Sequence, residues 1–326
     1  MSRNSRRKIA IGTATRNRPK MLRALLDSYA NMEFPEGNDV DFLIVENDNV
    51  DTASATVDEF REAVRPHNVF YILERKIGIS HARNSALEYS IHNGYDILAF
   101  ADDDETVDPR WLVELLNERD RDALDIVGSP VRIAPVDTSF SWWNKLLWRA
   151  FVDINLKAER RCLKRVSQGR GDSLKIATGS WMGDLAFFRR TGLRFDNERG
   201  SAGGEDWHLY DRAKSLGART GWTPNALAYE TMPASRLSLG YYYRKYRNRA
   251  RVLFLERYQE SAGKAVLRLP GSLLSRLYKA VVAVLTFPVH PGGSLLACAR
   301  EIGSFVGFVQ GCFGVRSKHY EHIDGY

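Results

Sequence analysis

ILAFADDDE, residues 97–105, sets a short apolar run against four consecutive acids. Ile97–Phe100 has the length and apolarity of a buried strand, so Asp102, Asp103 and Asp104 follow the carboxyl end of that strand. The same punctuation repeats toward the N-terminus. Ile9–Gly12 is an apolar run followed by the polar loop Thr13–Pro19 and a helical stretch, Met21–Tyr29. Phe42–Val45 ends in the polar cluster Glu46–Asn49, with a helical pattern over 52–64, and Val69–Leu73 precedes a helix over His81–His92. Strand–helix alternation at this spacing predicts βαβ units and an α/β fold with a parallel sheet. Ligands of such sheets bind beyond the carboxyl ends of the strands. The clusters Thr13–Arg18, Glu46–Asn49 and Asp102–Glu105 are therefore expected to face one crevice.

Adjacent acids at a strand end repel one another unless a cation sits among them. Hard dications favour oxygen ligands, and Mg²⁺ typically binds through one or two carboxylates plus substrate phosphates. Taken alone, the triplet equally fits a solvated turn entering the helix near Pro109, where acids match the helix dipole. Its place at the end of the fourth strand favours the metal. A second acidic site is Gly203-Gly204-Glu205-Asp206, which opens a helical stretch over 207–216. It reads either as a helix start with dipole-matched acids or as a positioned general base.

Net charge is +7 and the sequence pI is 9.3, a balance that suits anionic partners such as nucleotide phosphates, lipid diphosphates or an anionic membrane. The three cysteines, Cys162, Cys298 and Cys312, have no metal-type spacing and fit a reducing compartment. The apolar stretch after the basic N-terminus is too short for a secretory signal, so a cytoplasmic protein is expected.

Gly128–Ile133 is a candidate strand, Trp142–Phe151 repeats apolar residues at helical spacing, and the basic, turn-punctuated stretch 153–175 reads as a mobile loop. From Arg236 through Arg257 there are seven basic residues, both ends included, and one acid, interleaved with Tyr241, Tyr242, Tyr243 and Tyr246. Arg244, Arg247 and Arg251 share one helical face. That face is either simply solvated or suited to lipid diphosphate and anionic headgroups. The apolar stretches Leu277–Val289 and Leu295–Phe313 do not make spanning helices: the first is short, and the second contains Arg300 and Glu301. Peripheral attachment to the inner leaflet, with Trp142–Phe151 contributing, is one reading; packing on the catalytic domain or a second subunit is the other.

The ordered series TATRNRP, VEND, GISHARNSAL, AFADDDE and GGED resembles family 2 glycosyltransferases, over about residues 8–235. The forms ISHARNSAL, FADDDE and SAGGED are similar to bacterial succinoglycan-type exopolysaccharide glucosyltransferases. The resemblance implies the GT-A fold, Rossmann-like with a mostly parallel sheet, over residues 1–235, and a helical, membrane-associating extension over 236–326. It implies an inverting transfer of a hexose, glucose by this likeness, from a UDP-sugar to a saccharide acceptor, polyprenyl-diphosphate-linked or other, with Mn²⁺ or Mg²⁺. By resemblance Thr13, Thr15 and Arg16 contact the nucleotide, and Glu46 reads the uracil edge, where relatives more often carry Asp. Gly78, Arg83 and Asn84 lie near base and ribose. Asp102, with Asp103 beside it, lies near ribose and metal, and Asp104 binds the metal. Asp206 is the catalytic base with Glu205 beside it, and Glu230 lies in a region that approaches the metal.

A dinucleotide oxidoreductase would share the βαβ start but needs a glycine-rich first turn, and TATRNRP is not one. A nucleic-acid module would explain the charge and leave the acidic triplet unexplained, so no nucleic-acid partner is expected. A catalytically inactive protein of the same fold, binding saccharide or nucleotide, is the alternative; intact Asp102, Asp104 and Asp206 weigh against it.

Overall fold

The computed structural model describes residues 6–137, 139–197 and 204–313, in two compact units. The first holds the residues up to 134 and 158–231, and the second holds 135–157 and the residues from 232 onward.

In chain order the elements up to the chain's middle are β1 (Arg7–Thr15), α1 (Pro19–Ala30), β2 (Asn38–Glu46), α2 (Ser54–Ala63), β3 (Val69–Leu73), α3 (Ile79–His92) and β4 (Ile97–Ala101). They are followed by β5 (Glu105–Val107), α4 (Trp111–Asp122), β6 (Ile126–Gly128), β7 (Val131–Ile133) and α5 (Trp142–Ser167). Next come β8 (Ser180–Asp184), α6 (Leu185–Thr191), α7 (Glu205–Ser215), β9 (Thr220–Trp222) and β10 (Ala228–Glu230). One sheet runs β3-β2-β1-β4-β8-β6-β9, and a small one runs β5-β10-β7. From β3 to β4 every pairing is parallel, while β8 runs antiparallel to both β4 and β6.

The apolar runs are continuous because both faces of the sheet are covered. Along β4, Ile97, Ala99 and Ala101 enter one core with α1, α2 and α4, while Leu98 and Phe100 enter the other with α3, α6 and α7. β2 divides the same way, with Val40, Phe42 and Ile44 against Leu43 and Val45. A one-residue slip would therefore exchange the contents of the two cores. Full burial of a side chain such as Phe100 or Leu98 contributes about 1.5–3 kcal/mol, so the register of β4, and the position of the acids after it, is firmly set.

Three expectations change. The stretch 153–175, expected as a loop, is helical as far as Ser167 in α5. Gly128–Ile133 is not one strand: the chain divides at Ser129-Pro130, β6 joining the large sheet and β7 the small one. Proline has no N–H for a ladder, which suits a break between two short strands. Residues 142–157, read with the first domain, lie in the second unit, where Leu147 and Ala150 pack with Tyr242, Leu296 and Ala299.

That unit adds α8 (Leu239–Glu260), α9 (Ala262–Leu285) and α10 (Pro291–Cys312). Gly303, Gly307 and Gly311 line the face of α10 against α8, and a Cβ on Gly307 would lie 2.1 Å from the Arg247 carbonyl oxygen. Only glycine allows the two backbones so close. Arg251, from the arginine face expected to meet headgroups, is only 7% exposed. Glu301, 1% exposed, accepts from Arg276 (2.9 Å) and Arg300 (2.7 Å). Among the described residues no helix is long and apolar enough to cross a membrane. Residues 314–326 of the expected extension, and Gly203 of the GGED turn, lie outside the described residues.

Candidate active site

β1 has β2 on one side and β4 on the other, so the strand order reverses between β1 and β4. A crevice opens beyond the carboxyl ends at such a reversal. The loop after β1 and the acids after β4 meet there. Thr15 Oγ1 donates to Asp103 Oδ2 at 2.8 Å, and Arg18 Nη1 donates to Asp103 Oδ1 at 3.0 Å. The same Arg18 nitrogen lies 3.5 Å from Asp104. Burial pushes the Asp103 carboxyl up to about 6, against the pull of Arg18.

α3 delivers Arg83 from below. Its guanidinium donates to Asp102 Oδ1 at 2.9 Å and to Glu205 Oε1 at 2.6 Å, joining the end of β4 to the start of α7. Burial works against its charge, but Asp102 and Glu205 more than offset that and hold its pKa above the ordinary arginine value. α7 starts at Gly204, whose φ of 89° is left-handed and costs glycine nothing. This turn puts Glu205 in the interior, on Arg83, and leaves Asp206 half-buried beside it. Burial, then the neighbouring Glu205 charge, pushes the Asp206 carboxyl up to about 6. A carboxylate of that strength is ionised at neutral pH and is a better base than an ordinary aspartate.

Glu230 reaches the acids through the small sheet, where β10 pairs it directly with Glu105 of β5. Burial raises Glu105 well above the ordinary range, and Asp102, Asp104 and Glu230 add to it. Five carboxylates, Asp102, Asp103, Asp104, Glu105 and Glu230, thus share one end of the sheet with Arg18 and Arg83 as counter-charges. Such an all-oxygen donor set fits a hard dication such as Mn²⁺ or Mg²⁺. Among the described residues no group of three or more His, Cys, Asp or Glu side chains is placed to hold a metal ion by itself. A cation there would complete its shell with donor phosphates and water.

Other expected site residues have their polar atoms engaged within the protein. Thr13 is fully buried, its hydroxyl 3.0 Å from that of Tyr29. Glu46 is fully buried and accepts from the Thr52 and Ala53 amides (3.1 Å), the Thr52 hydroxyl and the Tyr71 hydroxyl (2.6 Å). A carboxylate has about four lone-pair sites, so these donors leave none for a base edge. The Asn84 amide donates to the Phe195 carbonyl (2.9 Å) and to Asn197 (3.0 Å) and accepts from the Phe195 amide (2.9 Å). It anchors the chain that leads toward α7. Gly78 caps α3 and donates its N–H to Asn47 Oδ1 at 2.7 Å, and Arg16 lies 3.4 Å from Asp48. Asn47, which also donates to the Glu74 and Lys76 carbonyls, pins the β2 and β3 loops together and was not singled out from sequence. Neither was Arg18. A basic residue two positions from Arg16 gives no sign of which one turns toward the acids.

The profile of glycosyl transferase family 2 matches residues 10–190, ending before Glu205. The succinoglycan biosynthesis protein ExoM of Rhizobium meliloti (strain 1021) is 30% identical over 238 residues, 72% of this chain and 70% of that protein. Among solved structures, the mannosyltransferase PcManGT of Pyrobaculum calidifontis, in complex with GDP-Man and Mn²⁺, superposes with a TM-score of 0.60 at 15% identity, over 94% of this chain and 87% of that one. S. aureus TarS 1–349 in complex with UDP-GlcNAc gives 0.52 at 15% identity, over 98% and 95%. The chain spans 40% of a longer TarS chain. At such identities the structures speak to the fold alone, which is of the GT-A type. With more than half of its length matched by the profile, the chain belongs to glycosyl transferase family 2.

Proposed function

We propose that this glycosyltransferase moves a hexose from a UDP-sugar, with inversion, onto a lipid-linked or other saccharide acceptor in exopolysaccharide synthesis. The observation that carries the reading is the Arg83 bridge, 2.9 Å to Asp102 and 2.6 Å to Glu205. It ties the acids that face a diphosphate to the helix start that bears a candidate base. The relationship to ExoM supports the exopolysaccharide setting, and the UDP-GlcNAc complex of TarS supports a UDP-linked donor.

Asp206, ionised at neutral pH, takes the proton of the acceptor hydroxyl. The oxygen attacks the anomeric carbon, the bond to the diphosphate breaks, UDP leaves, and the configuration inverts. No enzyme nucleophile is needed. Glu205 stays on Arg83 and holds the start of α7. Asp102 and Asp104, with Glu230 beside Glu105, would hold Mn²⁺ or Mg²⁺, which when bound offsets the charge growing on the leaving diphosphate. On the same reading the protein is cytoplasmic and peripheral on the inner membrane, where a polyprenyl-diphosphate-linked acceptor would be met.

UDP release from a panel of UDP-sugars, with membrane lipid extract as acceptor, tests this. Turnover is expected with one donor, falling by about 10²-fold or more when EDTA replaces Mn²⁺ or Mg²⁺. Turnover unaffected by EDTA would remove the metal. UDP binding without turnover on any acceptor would favour the inactive binding protein instead.

A further inference from the structure

α9 carries Lys264, Arg268, Arg276 and Lys279 and no acid. Its inner face packs Ala265, Leu269 and Leu273 against Phe254 and Phe308. The outer face is apolar as well. Leu267, Leu274, Tyr278, Val281 and Leu285 recur at seven-, four-, three- and four-residue steps, one stripe of a helix, and are 57–82% exposed. A continuous exposed apolar stripe on a folded unit marks an interaction surface.

A cavity of about 530 Å³ opens beside it, lined by Arg257, Arg268, Arg276, Ser272, Ser275 and Phe308 among others. Arg257 and Arg268 are exposed there, while Arg276 also holds the buried Glu301 at 2.9 Å. Guanidinium and hydroxyl donors are what a phosphate needs, and the apolar wall and stripe are what acyl chains need. Charge decides between occupants: a second copy would bring the same acid-free helix and repel, whereas an anionic bilayer is attracted.

We propose that α9 lies on an anionic phospholipid surface, with the 267–285 stripe among the acyl chains and a lipid phosphate in the cavity on Arg257, Arg268 and Arg276. This rests on the peripheral position proposed above and names the element that makes the contact. It shifts that role from Arg244, Arg247 and Arg251 of α8 to α9.

Co-sedimentation of the full chain with phosphatidylcholine vesicles, with and without phosphatidylglycerol, tests it without any need for turnover. The protein is expected to sediment with the phosphatidylglycerol vesicles. Leu274→Asp with Val281→Asp should abolish sedimentation, circular dichroism confirming the fold. Arg257→Gln with Arg268→Gln should weaken it about fivefold per arginine, on phosphatidylglycerol vesicles only. Wild-type protein left in the supernatant overturns the proposal, as does equal binding to both vesicles with the arginine variant unchanged. Release by inorganic phosphate would reassign the cavity to a free anion, and a lipid-free dimer broken by the aspartates would reassign the stripe to a second copy. UDP release from the same preparations reports separately: vesicle binding without turnover keeps this inference and counts against the transfer reading, and the converse result does the reverse.

Discussion

Asp206→Asn is expected to lower kcat by about 10²–10⁴-fold, the usual worth of a positioned general base, with UDP binding retained. The variant keeps the shape of the side chain and the helix start and removes only the proton acceptor. Wild-type kcat/KM should be flat above pH 6 and fall about tenfold per unit below it, because protonation of a carboxyl raised to about 6 removes the base. An ordinary aspartate would hold activity down to about pH 4. The raised value also has a stability consequence of defined sign. The folded protein binds the Asp206 proton more tightly than the unfolded chain does, so this group destabilises the fold as pH rises from about 4 to 6. At neutral pH the asparagine variant should therefore be at least as stable as the wild type, by up to about 2–3 kcal/mol. Lost turnover with unchanged or raised melting temperature is the signature of a functional acid. Undiminished turnover would move the base elsewhere.

The strands that place this site were legible because of how they are buried. β1, β2 and β4 are covered on both faces, which forces uninterrupted apolar runs that end where the chain reaches solvent and ligand. β8 was not readable in the same way. Its sequence, SWMGD, carries no such run, and its antiparallel direction is set by β4 and β6, neither of them adjacent to it in the chain. The second half of α5 misled through composition. Its many lysines and arginines suggested solvated loop, yet these, like its one glutamate, are good helix formers. That glutamate, Glu159, is held inside by Arg132 at 2.7 and 3.0 Å.

Within the site, the acids could be found because adjacency to a strand end is a statement about one dimension. What their neighbours do is not. Nothing in the spacing of TATRNRP separates the Thr13 hydroxyl, turned to Tyr29 in the core, from that of Thr15, turned to Asp103. Glu46 ends β2 much as the triplet follows β4, and both look like ligand-facing acids. The difference is that the chain from 46 to 53 curls back and encloses Glu46 with its own amides. The reach of Glu230 depends on β10 crossing to β5, a pairing between segments far apart in sequence. Arg83 is the sharpest case, since a long side chain inside a helix can serve whichever end of the fold its tip meets.

Arg83→Met is accordingly expected to cost both stability and activity. The guanidinium is the shared counter-charge of Asp102 and Glu205, and the buried Glu205 has its second oxygen without a partner among the described residues. Removing one side of a buried pair leaves an uncompensated charge, worth about 3–5 kcal/mol. For a domain of this size that lowers the melting temperature by roughly 10 °C, at 2–4 °C per kcal/mol. Turnover should fall with it even well below the melting point, because the start of α7, and with it Asp206, loses its tie to the end of β4. Arg83→Lys keeps the charge but offers a single point donor, so it should recover part of the stability without restoring the bridge. Arg83→Met combined with Glu205→Gln separates the two effects. Neutralising the stranded acid should return some of the lost melting temperature and none of the turnover. A single Arg83→Met variant that melts with the wild type would show that Asp102 and Glu205 do not depend on this arginine. The bridge would then lose its claim to organise the site.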